Sequence, residues 1–84
     1  MKFRVEVNVM PHRSLLDPQG KAVCNNLPNL GITGVEEVRI GKHIQLELEA
    51  ASEEEAREKA EISCKKILAN PITEYYEFTI HPLN

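Results

Sequence analysis

The sequence predicts an α+β domain of order βαββαβ built on an antiparallel sheet. Three observations carry this. Phe3, Val5, Val7 and Val9 alternate with Arg4, Glu6 and Asn8, the period of a strand with one buried face. Ser52 and Glu55 have the Ser-x-x-Glu spacing of a capping box that opens a helix. Ile72, Tyr76, Phe78 and Ile80 share one face of a closing strand, with Glu74 as the exception.

The elements follow in order. Residues 2–10 form the first strand, Pro11 ends it, and His12 to Leu16 form a loop. Asp17-Pro18 starts the first helix. Asp accepts bonds from free amides at the N-cap, and Pro fits the first helical position because its missing N–H has no partner there. Val23, Leu27 and Leu30 share one face of this helix, with Ala22 and Cys24 beside them. Pro28 inside it would lose its bond to Cys24 and clash with that carbonyl, at a cost of about 3 kcal/mol. The helix is therefore expected to end, kink or tighten near Asn26–Leu30, with Gly31 closing the segment.

Val38 and Ile40 alternate with Glu37 and Arg39, and Ile44, Leu46, Leu48 and Ala50 alternate with Gln45, Glu47 and Glu49. With Gly41-Lys42 between them, the two runs read as a hairpin in which Gly41 supplies a positive φ. Glu53, Glu54 and Glu55 then sit in the first turn of the second helix and Lys65 and Lys66 near its end, both as the helix dipole favours. Ala56, Ala60, Cys64 and Ile67 give that helix a stripe of mostly small residues that lets it lie close to a sheet. Asn70-Pro71 stops it. The final strand runs over 72–80, and His81 to Asn84 read as a loose tail.

The compact solution for this order is a ferredoxin-like split βαβ, an antiparallel four-stranded sheet with both helices on one face. The expected spatial order is fourth, first, third, second strand. The last strand then lies on an edge, where its outer amides and carbonyls lack partners. It holds Tyr75, Tyr76 and Phe78, so it is the candidate self-association strand. The opposite face of the sheet is expected to carry Arg4, Glu6, Arg39, Gln45, Glu47, Tyr75 and Glu77.

Length and charge restrict function. The 84 residues make a single domain over 1–84. Such a chain buries only about 60% of the surface its unfolded form exposes, so a partner surface adds stability. The formal charge of −3 repels phosphate backbones, against nucleic-acid binding. Cys24 and Cys64 form no CxxC pair, so neither a zinc site nor a disulfide framework is implied. The first residues interleave charges, unlike a signal peptide, and no apolar run approaches the ~20 residues of a membrane span. A reduced, cytoplasmic setting is expected.

No catalytic pattern emerges. His12, His43 and His81 fall in a loop, a hairpin and the tail with no acid or nucleophile at a recognised spacing. Both cysteines read as small buried hydrophobes. Asp17-Pro18-Gln19-Gly20-Lys21 lacks the order of a phosphate-binding loop, and Asp17 itself occupies the positive end of the helix. The third strand has no aromatic for base stacking. An acylphosphatase would need a glycine-rich phosphate loop, and Arg13 stands in none. An ACT-like regulatory module, binding a small molecule between subunits, is the alternative to a domain that works by contacting other protein chains.

Leu16-Asp17-Pro18-Gln19-Gly20-Lys21-Ala22-Val23, then Val38-Arg39-Ile40-Gly41-Lys42 leading into Ile44-Gln45-Leu46-Glu47-Leu48, then Leu68-Ala69-Asn70-Pro71-Ile72 with Glu74-Tyr75-Tyr76, resemble the PurS family over nearly the whole chain. The sequence departs from the family pattern at Pro28 and in His12-Arg13-Ser14. The resemblance implies the small subunit of phosphoribosylformylglycinamidine (FGAM) synthase, in de novo purine synthesis. It implies a non-catalytic adaptor that joins a glutaminase subunit to a large synthase subunit and assists ammonia transfer. It also implies self-association into dimers, and in some members tetramers, through the sheet. No catalytic residue, cofactor or metal is implied for this subunit; ATP and magnesium belong to the synthase subunit. Asp17, Pro18, Gly41, Ser52, Asn70 and Pro71 are expected to be structural turns and caps. Arg39, Lys42 and Lys21 are the candidate contacts to partner acids or a shared anion.

Overall fold

The computed structural model describes residues 1–83. Its elements are β1 (Lys2–Pro11), α1 (Pro18–Asn26), β2 (Lys42–Glu49), α2 (Glu53–Ser63) and β3 (Glu74–Leu83). The sheet has three antiparallel strands in the order β2-β1-β3. This is the expected α+β antiparallel arrangement, and the order is the expected one without its second strand.

The alternation in β1 does what its pattern dictates. Phe3, Val5, Val7 and Val9 are fully buried under α2, while Arg4, Glu6 and Asn8 face away. In the register, Val5 lies between Leu46 and Ile80, and Val7 between Ile44 and Phe78. Ala56, Ala60 and Cys64 press onto this layer with no exposed surface. Small side chains bring the helix backbone close to the sheet, so the core is thin but dry.

The end of α2 differs from expectation. Cys64–Leu68 form a wide π turn, closed by the Ala69 amide donating to the Cys64 carbonyl at 3.0 Å. The extra residue in the turn rotates the following side chains. Leu68 therefore packs on the core and Ile67, expected in the stripe, is 81% exposed. Ile72 likewise lies outside the strand and is 83% exposed. Of the expected loose tail His81 to Asn84, His81 to Leu83 are instead part of β3, with Leu83 opposite Lys2 and Pro82 opposite Phe3, and Asn84 lies outside the described residues. Pro82 is tolerated because β3 is an edge strand.

Val38–Ile40 is the second correction. It belongs to no ladder, so the hairpin does not form. Its Ile40 amide and Arg39 side chain are held instead by the cap of α1 and the loop after β1. The Ile40 amide donates to Asp17 Oδ2 at 2.8 Å. A Cβ on Gly20 would collide with the Val38 carbonyl oxygen. Gly41 is needed for a different reason than expected: its φ is not positive, but a Cβ there would collide with the Val9 carbonyl oxygen.

Around Pro28 the chain does tighten. α1 ends at Asn26, Leu27–Leu30 continue as a 3-10 turn, and Gly31 closes it at φ 80°. No residue of α1 joins the buried core clusters, in contrast to a helix packed on the sheet beside α2. The molecule is accordingly long and thin, 51 × 29 × 14 Å. Its radius of gyration is 16.6 Å, against about 12 Å for a compact chain of this length.

Candidate functional site

Three surfaces hold the residues that the sequence singled out. The first is the junction of α1 with 38–40. Asp17 caps α1 through Oδ1, which accepts from the Gly20 amide at 3.0 Å, and holds Ile40 through Oδ2. The two amide bonds and, after them, nearby Arg39 keep its carboxyl below the ordinary aspartate range. Arg39 is not on the open sheet face. Its guanidinium donates to the carbonyls of Pro11, His12 and Leu15 at 2.7–3.3 Å, so it staples the loop after β1. Lys42 lies 3.5 Å from Glu74, tying the starts of β2 and β3 together across β1. Lys21 and Arg39 both line a groove of about 310 Å³, together with Leu15, Leu16, Cys24 and the acids Asp17, Glu36 and Glu37. Of the three candidate cations, Lys21 and Arg39 thus share one groove and Lys42 lies outside it.

Ser52 and Asn70 make local caps and turns. Ser52 Oγ accepts from the Glu55 amide at 3.2 Å, and Glu55 reaches back to the Ala51 amide at 3.4 Å rather than to Ser52. Asn70 Oδ1 accepts from Ile72, and its carbonyl accepts from Thr73 and Glu74, turning the chain at Pro71 into β3.

The second surface is the polar face of the sheet. Glu6 on the central strand meets His81 Nε2 at 3.1 Å and His43 Nε2 at 3.7 Å. Asn8 reaches His43, Gln45 reaches Glu6, and Thr79 contacts His81. Arg4 lies 3.8 Å from Glu47 on this face, and Tyr75 and Glu77 share it. The sequence pattern hides this cluster because His81 reads as tail; its only signal is that all three residues take outward positions once β3 extends to Leu83. No group of metal-ligating side chains is assembled among the described residues.

The third surface is a groove of about 650 Å³ between α2 and β3, lined by Glu54, Arg57, Glu58, Glu61, Tyr76, Glu77 and Phe78. The rings of Tyr76 and Phe78 stack at 6.5 Å with a 12° tilt and form its floor. The Arg57 guanidinium lies 5.9 Å from the Phe78 ring centre. Burial first, and the Glu61 carboxylate next, raise the Tyr76 hydroxyl above the usual phenol value. Tyr75 points to the opposite face, 5.9 Å from the His12 ring.

A thin α+β module with large surfaces left uncovered is a protein built to be part of an assembly. The chain belongs to the PurS family: the family model described as PurS, phosphoribosylformylglycinamidine (FGAM) synthase, matches residues 4–82. The synthase subunit PurS of Synechocystis sp. is 45% identical over 80 residues, 95% of this chain and 78% of that protein. The same subunit of Methanocaldococcus jannaschii is 32% identical over 81 residues, covering 96% and 98%. A chain of the solved PurLQS structure from Thermotoga maritima superposes with a TM-score of 0.88 at 31% identity, covering 96% of this chain and 99% of that one. Thermus thermophilus PurS superposes with a TM-score of 0.85 at 35% identity over the full length of both chains. Membership of this family sets the ACT-like alternative aside.

Proposed function

We propose that this chain is the small, non-catalytic subunit of FGAM synthase in de novo purine biosynthesis. It joins a glutaminase subunit to the large synthase subunit and assists ammonia transfer between them. The observation that carries the reading is its end-to-end superposition on a chain of the PurLQS structure. ATP and magnesium are used by the synthase subunit, and this chain holds neither. No described helix is long and apolar enough to cross a membrane, and the working compartment is the cytoplasm.

The physical case for an adaptor is seclusion and effective concentration. Ammonia is small, diffusible and largely protonated in water, so a source and a consumer held together lose less of it. A rigid scaffold needs surfaces for several neighbours, and this chain leaves several uncovered.

One of them fits a second copy. Leu16, Val23, Leu30, Ile32 and Val35 are all at least 40% exposed along the α1 flank. Apolar side chains in that number favour burial. We assign this flank to a homodimer contact, with tetramers as a further state. Analytical ultracentrifugation of the chain alone and with the two partner subunits tests the assembly. A dimer that sediments with both subunits is expected; a monomer that joins neither contradicts the reading.

A further inference from the structure

We propose that the groove between α2 and β3 docks an extended, Lys/Arg-rich segment of one partner subunit, added beside β3 as a further strand. The inference rests on the adaptor reading and gives one of its contacts a place and a chemistry.

Three independent observations lead there. Among the described strands β3 pairs only with β1, so its outer backbone edge is open to another strand ahead of Pro82. The groove beside that edge has an aromatic floor, Tyr76 and Phe78, which is only half-buried. Its wall is acidic: Glu54, Glu58 and Glu61 recur on one face of α2, and Arg57 is the one cation among the described residues of the lining. A strand laid along β3 would place alternate side chains under α2. Long basic side chains suit that position, with their stems on the rings and their charges at the glutamates. Arg57 already occupies part of it in this way, over Phe78.

A second copy of this chain does not supply such a strand. Its own β3 has the sequence Glu-Tyr-Tyr-Glu-Phe-Thr-Ile-His-Pro-Leu, with no Lys or Arg. Pairing two β3 edges about a two-fold axis would bring two acidic walls together. The stretch before β2 carries Glu36 and Glu37, and its Arg39 is held by three carbonyls. The edge strand expected from sequence to pair with itself is thus better suited to a basic partner.

The test uses the full-length chain and the purified glutaminase and synthase subunits. Affinity for each is measured by calorimetry for the native chain, for Glu58→Lys/Glu61→Lys and for Glu58→Gln/Glu61→Gln. Glu58 is exposed and Glu61 half-buried at the groove, so circular dichroism checks the fold of each variant. The Lys pair is expected to weaken binding to one subunit by about tenfold or more, with the Gln pair between it and native. Native binding to that subunit should also weaken with added salt. Unchanged affinity for both subunits in the Lys pair overturns the proposal. So does a change confined to self-association, which would make a second copy the occupant. Failure of the native chain to bind either subunit is a different result, and it contradicts the adaptor reading itself.

Discussion

Asp17 and Ile40 are joined by a 2.8 Å bond from the Ile40 amide to the Asp17 carboxylate, across 23 residues of chain. The other carboxylate oxygen caps α1 at Gly20. One side chain thus fixes both the start of the helix and the return of the chain toward β2. Because both oxygens accept, Asp17→Asn must turn an amide N–H₂ toward one of the two backbone donors. A lower melting temperature is expected for Asp17→Asn. The carboxyl is depressed in the fold, so its contribution is complete above its ordinary value of 3.8 and is lost as pH falls through the lower folded value. Melting temperatures from pH 6 down to pH 2 check this: the difference between the native chain and the Asp17→Asn variant should shrink at the acid end.

Close approach makes a second prediction at Gly20 and Gly41. A Cβ on Gly20 would meet the Val38 backbone, and one on Gly41 the Val9 backbone. Gly20→Ala and Gly41→Ala should each cost about 1–3 kcal/mol in denaturant unfolding, the range for overpacking, although alanine raises helix propensity at Gly20. Equal or higher stability would contradict the packing described.

How much of this is legible in the sequence depends on where the polar backbone groups go. β1 is readable because its alternation is set by burial under α2 alone. Val38–Ile40 has the same alternation, yet its Ile40 amide is spent on the Asp17 cap of α1, and no local pattern signals that. Ile67 falls outside its expected stripe because a five-residue turn breaks the 3.6-residue period just beyond Cys64. His81-Pro82-Leu83 looks like a tail because Pro argues against a strand, but β1 still pairs with it. The Glu6–His43–His81 cluster depends on that pairing. The caps at Asp17, Ser52 and Asn70 are readable because a cap is a local event.

The two cysteines should separate in reactivity. Cys64 is fully buried, and burial first, then Glu61, pushes its thiol above the ordinary value of 9.0. Cys24 is partly exposed on α1. Alkylation of the native chain followed by mass spectrometry should label Cys24 first and Cys64 only with unfolding. The same shift means that stability falls as pH rises above 9.0, because the unfolded chain loses the thiol proton before the folded one does.

The two faces of β1 should differ in mutational cost. Val7 is buried between Ile44 and Phe78, and Val7→Ala should cost on the order of 1.5–3 kcal/mol by loss of apolar burial. Glu6→Ala removes exposed contacts to His43 and His81 and should cost less than about 1 kcal/mol. Urea unfolding of the two variants checks the contrast, and a larger cost at Glu6 would assign the polar face a structural role.

The most direct measurement compares two nitrogen sources. FGAM formation is followed with purified glutaminase and synthase subunits, ATP and magnesium, supplied with either glutamine or ammonium, with and without this chain. An adaptor should be required when glutamine is the source and dispensable when ammonium is added directly. Glutamine-driven formation that proceeds unchanged without the chain would contradict its role as the subunit that joins the two sites.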